Sequence, residues 1–248
     1  MIHSFLMIGQ SNMAGRGNIA DVEPIRNDHL LVLRNGRWQP FFTPVNPDRP
    51  FSGITLAESF ADAYQRAHQT DVGLIPCADG GTRLAQWKKG GLLYDHAVFQ
   101  ARLAQRTSTI AGVLWHQGES DCNEEEFSVY GAELRKFYRD LTAELHLEDV
   151  PFLVGGLGDF LAEREPENRY FASVNRQLMA FAERVPMAGF VSAEGLEGKA
   201  DHLHFTAEAQ RSFGNRYFQV FRGLENKDKV FEEKEREDLA LRTEIDGL

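Results

Sequence analysis

The chain contains 248 residues, of which 42% are hydrophobic, and this length favours a single α/β-type domain over two full domains. Its 27 Lys and Arg residues against 37 Asp and Glu residues give a formal net charge of −10 at pH 7. This negative charge argues against nucleic acid or an anionic membrane surface as a partner.

Cysteine usage and the N-terminus bear on the compartment. Cys77 and Cys122 are too few for a disulfide framework and too far apart for a CxxC motif. No apolar stretch approaches the roughly 18 residues that suggest a membrane span, and residues 1–8 are too short for a secretory leader before the first motif. We therefore expect a cytoplasmic protein without a membrane partner, and the sequence does not predict its oligomeric state.

Short apolar runs bounded by Gly, Pro or polar residues recur along the chain. Their length and branched side chains predict buried parallel strands at 5–8, 30–33, 72–75, 112–115, 152–154 and 189–191. Helical spacing of apolar residues predicts helices at 56–67, 97–106, 125–145 and 168–184. The segment 35–53 is rich in Pro, Asn and Gly and predicts a long loop. This alternation is typical of βαβ units around a parallel sheet.

A final amphipathic helix is predicted after Thr206, which is a suitable N-cap. Apolar side chains follow at helical spacing from Phe213, so this helix is expected to close the domain. Beyond it the composition changes to Glu, Lys, Asp and Arg. We therefore expect one domain over 1–222 and a charged C-terminal tail over 223–248.

The first cluster of polar residues follows the first predicted strand. Residues 9–17 read GQSNMAGRG and place Ser11 in a glycine-flanked turn at the strand end. Backbone N–H groups at such a turn can stabilise an anion, and loops at the carboxyl ends of parallel strands gather along one edge of a sheet. Ser11 is therefore a candidate nucleophile; the alternative is that it only caps a helix.

A second cluster, DHLHFT at 201–206, precedes the last predicted helix. Asp201 stands three residues before His204, and a carboxylate in such a turn can bond the Nδ1–H group and leave Nε2 free to accept a serine proton. His202 and His204 also form an HxH pair, but no third His or Cys has a spacing that recommends a metal site. We predict neither a metal nor an organic cofactor.

The third cluster, HQGESD at 116–121, follows a predicted strand. The Gln117 amide is a candidate donor to an oxyanion. Glu119 is either a general acid or base or a structural hydrogen-bonding group, and the absence of a visible second carboxylate favours the structural role. His116 is either a rival base or a buried histidine.

The fourth cluster, CADGGT at 77–82, also follows a predicted strand. Gly80 and Gly81 allow the backbone to approach a ligand closely, and a tight turn would explain the same glycines. Trp87 is either the wall of a sugar site or a packing residue. Cys77 and Cys122 are expected to be buried and inert.

Taken together, these four segments resemble the SGNH hydrolases, in particular the carbohydrate-esterase branch that contains sialate O-acetylesterases and family 6 acetylxylan esterases. The resemblance spans about residues 2–222 and is carried by GQSNMAG and HQGESD more than by GGT and DxxH. It implies an α/β fold, namely a three-layer α/β/α sandwich with a central parallel sheet, which is the flavodoxin-like SGNH hydrolase fold.

The resemblance also implies roles for single residues. It makes Ser11 the nucleophile, His204 the general base and Asp201 the carboxylate that orients the histidine. It implies a serine esterase that removes O-acetyl groups from a small acetylated sugar or oligosaccharide without a cofactor. The alternatives are a lipase or thioesterase of the same superfamily, or a non-catalytic carbohydrate-binding protein with the same fold.

The implied oxyanion hole has three donors. These are the Ser11 backbone N–H, a backbone N–H from Gly80 or Gly81, and the Gln117 side chain, where other SGNH branches use an asparagine. Three further residues are candidates to line or support the substrate pocket: Glu119, Trp87 and Arg83, the last of which follows GGT where many relatives carry a small residue.

Overall fold

A seven-stranded sheet forms the centre of the computed structural model, which describes residues 1–225. The strands are β1 (Ile2–Gly9), β2 (Leu30–Arg34), β3 (Arg37–Pro40), β4 (Asp71–Pro76), β5 (Ser108–His116), β6 (Phe152–Gly155) and β7 (Ala188–Val191). They lie in the order β3-β2-β4-β1-β5-β6-β7, and every neighbouring pair is parallel except β2 with β3.

Helices cover both faces of this sheet. They are α1 (Ser11–Ala14), α2 (Leu56–His68), α3 (Leu92–Ala104), α4 (Tyr130–Leu145), α5 (Phe171–Arg184) and α6, which is described over 207–225. Alternate residues of β1 enter different cores, since Leu6 and Ile8 belong to the core with α3, α4 and α5, whereas Phe5 and Met7 belong to the core with α2 and α6. The structure confirms the predicted three-layer α/β/α sandwich around a mostly parallel sheet.

Each predicted strand lies inside an observed one, because the buried parallel strands are continuous apolar runs. The helix boundaries are less accurate: α3 begins earlier than predicted, at Leu92, and α4 and α5 begin later, at Tyr130 and Phe171. The expected N-cap of α6 is present, since the Thr206 hydroxyl accepts a hydrogen bond from the Ala209 N–H group.

The prediction of one uninterrupted loop over 35–53 is wrong at its start. Residues Arg37–Pro40 form β3, which pairs antiparallel with β2. The two strands are joined at Asn35 and Gly36, both with positive φ (52° and 74°). An Asn-Gly pair favours this kind of tight hairpin turn, so the signal was present in the sequence. The remainder of the segment runs without a helix or strand as far as Gly53.

The topology determines where a site can form. β1 lies between β4 and β5, so the chain first builds one half of the sheet and then crosses β1 to build the other half. In such sheets ligands bind outside the carboxyl ends of the strands, where the strand order reverses. The segments 9–17, 77–82 and 116–121 follow β1, β4 and β5 at this edge.

The C-terminal segment is only partly described. Residues 223–225 continue α6, and the remainder of the predicted charged tail lies outside the described residues. None of the helices within 1–225 is long and apolar enough to cross a membrane.

Candidate active site

Ser11 is positioned by a sharp turn at the end of β1. Gly9 has φ of 131°, and a Cβ there would lie 2.1 Å from the His116 carbonyl oxygen, so only glycine lets β1 approach β5 this closely. Gln10 is extended and Ser11 begins α1. The Ser11 side chain lines a cavity, and its backbone N–H group has no hydrogen-bond partner within residues 1–225.

Asp201 and His204 lie in the loop between β7 and α6. One carboxylate oxygen of Asp201 accepts hydrogen bonds from the backbone N–H groups of Leu203 and His204, both at 3.0 Å, which fixes the turn. The other oxygen lies 2.8 Å from Nδ1 of His204. Nε2 of His204 in turn lies 3.0 Å from Oγ of Ser11. The structure therefore brings together the three residues that the sequence suggested as a group.

The protonation pattern of these residues follows from their contacts. Burial by itself would raise the pKa of Asp201, but the hydrogen bonds from the His204 side chain and from two backbone N–H groups lower it to about 2. The carboxylate is therefore ionised at neutral pH and can only accept. Nδ1 of His204 consequently carries the hydrogen, and Nε2 presents its lone pair to the Ser11 hydroxyl.

His202 lies apart from this arrangement. It has a positive φ of 51°, and Nδ1 lies 3.3 Å from a carboxylate oxygen of Glu163 at the surface. Within residues 1–225 no group of three or more His, Cys, Asp or Glu side chains could hold a metal ion.

A cavity of about 990 Å³ opens above Ser11 and His204. Most of the residues that line it are polar or charged, and Phe51 and Leu203 are the large apolar side chains among the described lining residues. The loop before α2 contributes to the rim through Arg49 and Phe51. The charged side chains around the cavity are Arg16, Arg49, Arg83, Arg164, Glu119, Glu124, Glu125 and Glu167.

Of the two glycines in the 77–82 turn, only one presents a free N–H group. The Gly80 N–H donates to Asp48 at 2.9 Å, and the same carboxylate accepts two hydrogen bonds from the Arg16 guanidinium at 3.0 and 2.7 Å. The expectation that Gly80 offers an oxyanion donor is therefore not met by this geometry. Gly81 lines the cavity with φ of 77°, and its N–H group has no partner in the described chain.

Gln117 does not occupy the position that the resemblance implies. The side chain is fully buried and does not line the cavity. Its Nε2 donates to the Thr82 carbonyl at 3.0 Å and to the Asp121 carboxylate, and lies 3.4 Å from the Gln10 side-chain oxygen. Both amide hydrogens are thus engaged inside the protein, because Thr82 and Asp121 each take one.

The other candidates divide between core and rim. Trp87 is not a sugar wall: it is fully buried, donates from Nε1 to the Thr82 hydroxyl and packs edge-on against Trp115. Arg83 lies at the rim and pairs with Glu126 at 2.7 Å. Glu119 also borders the cavity but is buried, and His116 is buried beside it with Nε2 at 3.1 Å from its carboxylate.

Sequence reasoning missed three residues of this site. Gln10 lines the cavity, and its side-chain nitrogen has no hydrogen-bond partner within residues 1–225. Asn12 bonds the loop that carries His204. Their position on either side of Ser11 was the available signal. No sequence signal pointed to Asp48, because it lies in an irregular loop that reaches the turn at Gly80 only in the folded chain.

A family model described as "Carbohydrate esterase, sialic acid-specific acetylesterase" matches residues 1–222. The chain belongs to this family. It is accordingly a carboxylic ester hydrolase of the carbohydrate acetylesterase class, which confirms the predicted resemblance and enzyme class.

Individual relatives are similar over most of this esterase. A probable carbohydrate esterase of Arabidopsis thaliana, At4g34215, is 29% identical in an alignment of 233 residues, and the match covers 85% of this chain and 86% of the relative. The crystal structure of At4g34215 matches with a TM-score of 0.82 at 27% identity, covering 89% of this chain and 98% of that one.

Two more distant structures share the fold. NanS matches with a TM-score of 0.75 at 14% identity, covering 91% of this chain and 98% of that one. XAC1771, a carbohydrate acetylesterase from Xanthomonas citri, matches with a TM-score of 0.69 at 17% identity, covering 90% of this chain and 56% of that one. The family and these neighbours make the fold that of the SGNH hydrolases.

Proposed function

We propose that the esterase removes O-acetyl groups from a carbohydrate through an acyl-enzyme on Ser11, with His204 as general base and Asp201 as its orienting carboxylate. The observation that carries this proposal is the continuous line of contacts from Asp201 through the two ring nitrogens of His204 to Ser11 Oγ, at 2.8 and 3.0 Å. A nucleophile within hydrogen-bond reach of a base that a third group orients is the arrangement that acyl transfer requires.

In the first half of the reaction, Ser11 Oγ forms a bond to the ester carbonyl carbon while its proton passes to Nε2 of His204. The carbonyl oxygen becomes an oxyanion, and the free backbone N–H groups of Ser11 and Gly81 are the donors that we assign to it. The C–O bond to the sugar then breaks, and the sugar oxygen takes the proton from His204. Asp201 stays ionised throughout and stabilises the imidazolium.

In the second half, water attacks the acetyl-serine. His204 Nε2 takes a proton from that water, the tetrahedral intermediate collapses, and the proton returns to Ser11 Oγ as acetate leaves. The side-chain nitrogen of Gln10 is free at the cavity wall and is a candidate polar contact to the substrate.

The cavity wall supports a sugar over a long acyl chain. Most of the described lining residues carry charged or amide side chains, and two of them, Phe51 and Leu203, carry a large apolar side chain. Hydroxyl groups of a carbohydrate can replace the water that hydrates these polar groups, whereas a long hydrocarbon chain would leave them without partners.

The proposal is tested by acetate release from a panel of O-acetylated mono- and oligosaccharides, with Ser11→Ala as the matched control because it removes only the hydroxyl oxygen. We expect release by the wild type and none by the variant. In parallel, p-nitrophenyl esters from acetyl to long-chain acyl are compared, and we expect the acetyl ester to be hydrolysed best. An optimum at long chains would support a lipase or thioesterase instead. Sugar binding with neither turnover nor fluorophosphonate labelling of Ser11 would support a non-catalytic carbohydrate-binding protein.

A further inference from the structure

Asn12, the residue after the proposed nucleophile, joins the two loops of the site. The side chain is 1% exposed, donates from Nδ2 to the Leu203 carbonyl at 3.0 Å, and accepts at Oδ1 from the Phe205 N–H group at 3.2 Å. Leu203 and Phe205 are the residues on either side of His204. One amide therefore holds the backbone before and after the histidine against the turn that carries Ser11.

The orientation of this amide is fixed by Glu119. The second hydrogen on Nδ2 of Asn12 is donated to Oε1 of Glu119, which also lies 3.1 Å from Nε2 of His116. Because a carboxylate only accepts, it forces Nδ2 to its own side and leaves Oδ1 to face Phe205. Burial alone would raise the pKa of Glu119, but His116 and Asn12 lower it below its ordinary value, so the carboxylate remains an acceptor.

Other contacts of His204 do not replace this tether. Apart from the contact of Nε2 with Ser11 Oγ, whose length is the distance in question, its ring is bonded to Asp201 and its carbonyl oxygen to the Lys199 N–H group, and both of these partners belong to the same loop as His204. These bonds set the shape of the loop and not its distance from Ser11. A further bond between the two segments joins the Lys199 ammonium to the Arg16 carbonyl at 3.0 Å, at a greater chain distance from the histidine.

We propose that Asn12, oriented by Glu119, is a positioning residue that sets the distance between Ser11 Oγ and His204 Nε2. The inference rests on the proposed function, since it concerns the geometry of the proposed nucleophile and base. It gives Glu119, and through it His116, a part in the site that involves no proton transfer. Misplacement of a reacting group by about 1 Å can reduce a rate about 100-fold, so a tether of this kind acts on kcat.

The first test is Asn12→Ala. We expect kcat on p-nitrophenyl acetate to fall by about 10- to 100-fold while KM changes by less than about threefold, because the proton-transfer geometry changes and the cavity wall does not. The rate of fluorophosphonate labelling of Ser11 should fall in the same proportion. The matched control is Asn175→Ala, because the Asn175 amide also bonds a backbone N–H and carbonyl, both of Leu157, but lies outside the cavity. This control should lose thermal stability and keep its kcat.

The second test compares two variants at Glu119. Glu119→Ala removes the acceptor and should lower kcat as Asn12→Ala does. Glu119→Gln keeps an acceptor oxygen and removes the charge, and it should restore most of the lost kcat if the group acts by orienting Asn12. Equal losses in the two variants would instead indicate a role for the charge or for proton transfer, and would overturn the positioning role. This pair also provides the test if Asn12→Ala fails to fold.

The outcomes separate this inference from the function on which it rests. Wild-type kcat and labelling rate in Asn12→Ala, with Ser11→Ala and His204→Ala inactive, would overturn the tether alone. Activity retained in Ser11→Ala would overturn the proposed mechanism itself. A lower melting temperature in Asn12→Ala without a change in kcat would also contradict the inference, because it would show a purely structural bond.

Discussion

Nε2 of His204 lies 3.0 Å from Oγ of Ser11, although the two residues are 193 positions apart in the chain. The contact forms because the carboxyl end of β1 and the loop before α6 meet at the same edge of the sheet. The following predictions depend on this contact and on the buried groups behind it.

Removing the proposed nucleophile or base should abolish turnover. We expect Ser11→Ala and His204→Ala each to reduce kcat for acetyl ester hydrolysis by about 10⁴- to 10⁶-fold, because each removes a member of a unit that acts together. Acetate release and fluorophosphonate labelling measure the loss, and circular dichroism should show an unchanged fold. An active His204→Ala protein would show that another group accepts the serine proton.

Replacing the orienting carboxylate should affect kcat more than KM. Asp201→Asn can place its NH₂ group against Nδ1 of His204, which favours the tautomer with hydrogen on Nε2 and removes the base from the serine hydroxyl. In well-studied triads this change lowers kcat by about 10⁴-fold, and that is the upper limit here because the Asp201 side chain is 41% exposed. Steady-state kinetics on p-nitrophenyl acetate provides the measurement, and unchanged kcat would remove Asp201 from the mechanism.

Asp121 should make the fold less stable as pH rises. Burial raises its pKa from 3.8 to about 6 in the folded protein, so the folded state holds this proton more tightly than the unfolded state does between those values. The stabilising effect of protonation is complete below about pH 4 and is lost as pH rises through 6. Asp121→Asn removes this dependence and keeps an acceptor for Gln117 and Leu84.

The measurement for Asp121 is urea unfolding of both proteins from pH 4 to pH 7. As pH rises from 4 to 7, the unfolding free energy of the wild type should fall by on the order of 1–3 kcal/mol relative to that of Asp121→Asn. A difference between the two proteins that does not change with pH would contradict the raised pKa.

The buried amide of Gln117 should matter for stability rather than for the oxyanion. Gln117→Ala leaves the Thr82 carbonyl without its donor and the Asp121 carboxylate with the Leu84 N–H group alone, and we expect a loss of about 1–3 kcal/mol of unfolding free energy. An oxyanion donor would instead give a 10²- to 10³-fold loss of kcat with the stability intact. Chemical denaturation together with kcat per folded molecule distinguishes the two results.

The sequence predicted the fold well because the signals involved are local. A buried parallel strand is a short apolar run wherever it lies in the chain, and all six predicted strands fall within observed ones. The turn at Asp201 is also local, since the carboxylate and the histidine that it bonds are three residues apart. The sequence signal for the hairpin turn at Asn35 and Gly36 was local as well, but the Pro and Gly residues nearby favoured the prediction of a loop.

The direction of a side chain was harder to predict, because it depends on partners that are distant in sequence. Gln117 was expected to face the substrate, but the Thr82 carbonyl, 35 positions away, takes one of its hydrogens. For Trp87, which follows the glycine turn, the sequence left open a sugar wall or a packing residue, and the structure shows packing against Trp115 in β5. The contact between Gly80 and Asp48 likewise exists only after the loop before α2 has folded back.

The proposed nucleophile and base lie near opposite ends of the sequence that forms the sheet and its helices, and this separation bears on biosynthesis. A growing polypeptide that has left the ribosome as far as Val191 already contains all seven strands and Ser11, but not yet Asp201 or His204. Under the proposed roles, such a nascent or proteolytically shortened chain has no general base and is catalytically silent. Activity would therefore appear only after the segment before α6 has been synthesised. Under these roles, the onset of ester hydrolysis marks a late stage in the synthesis of this chain.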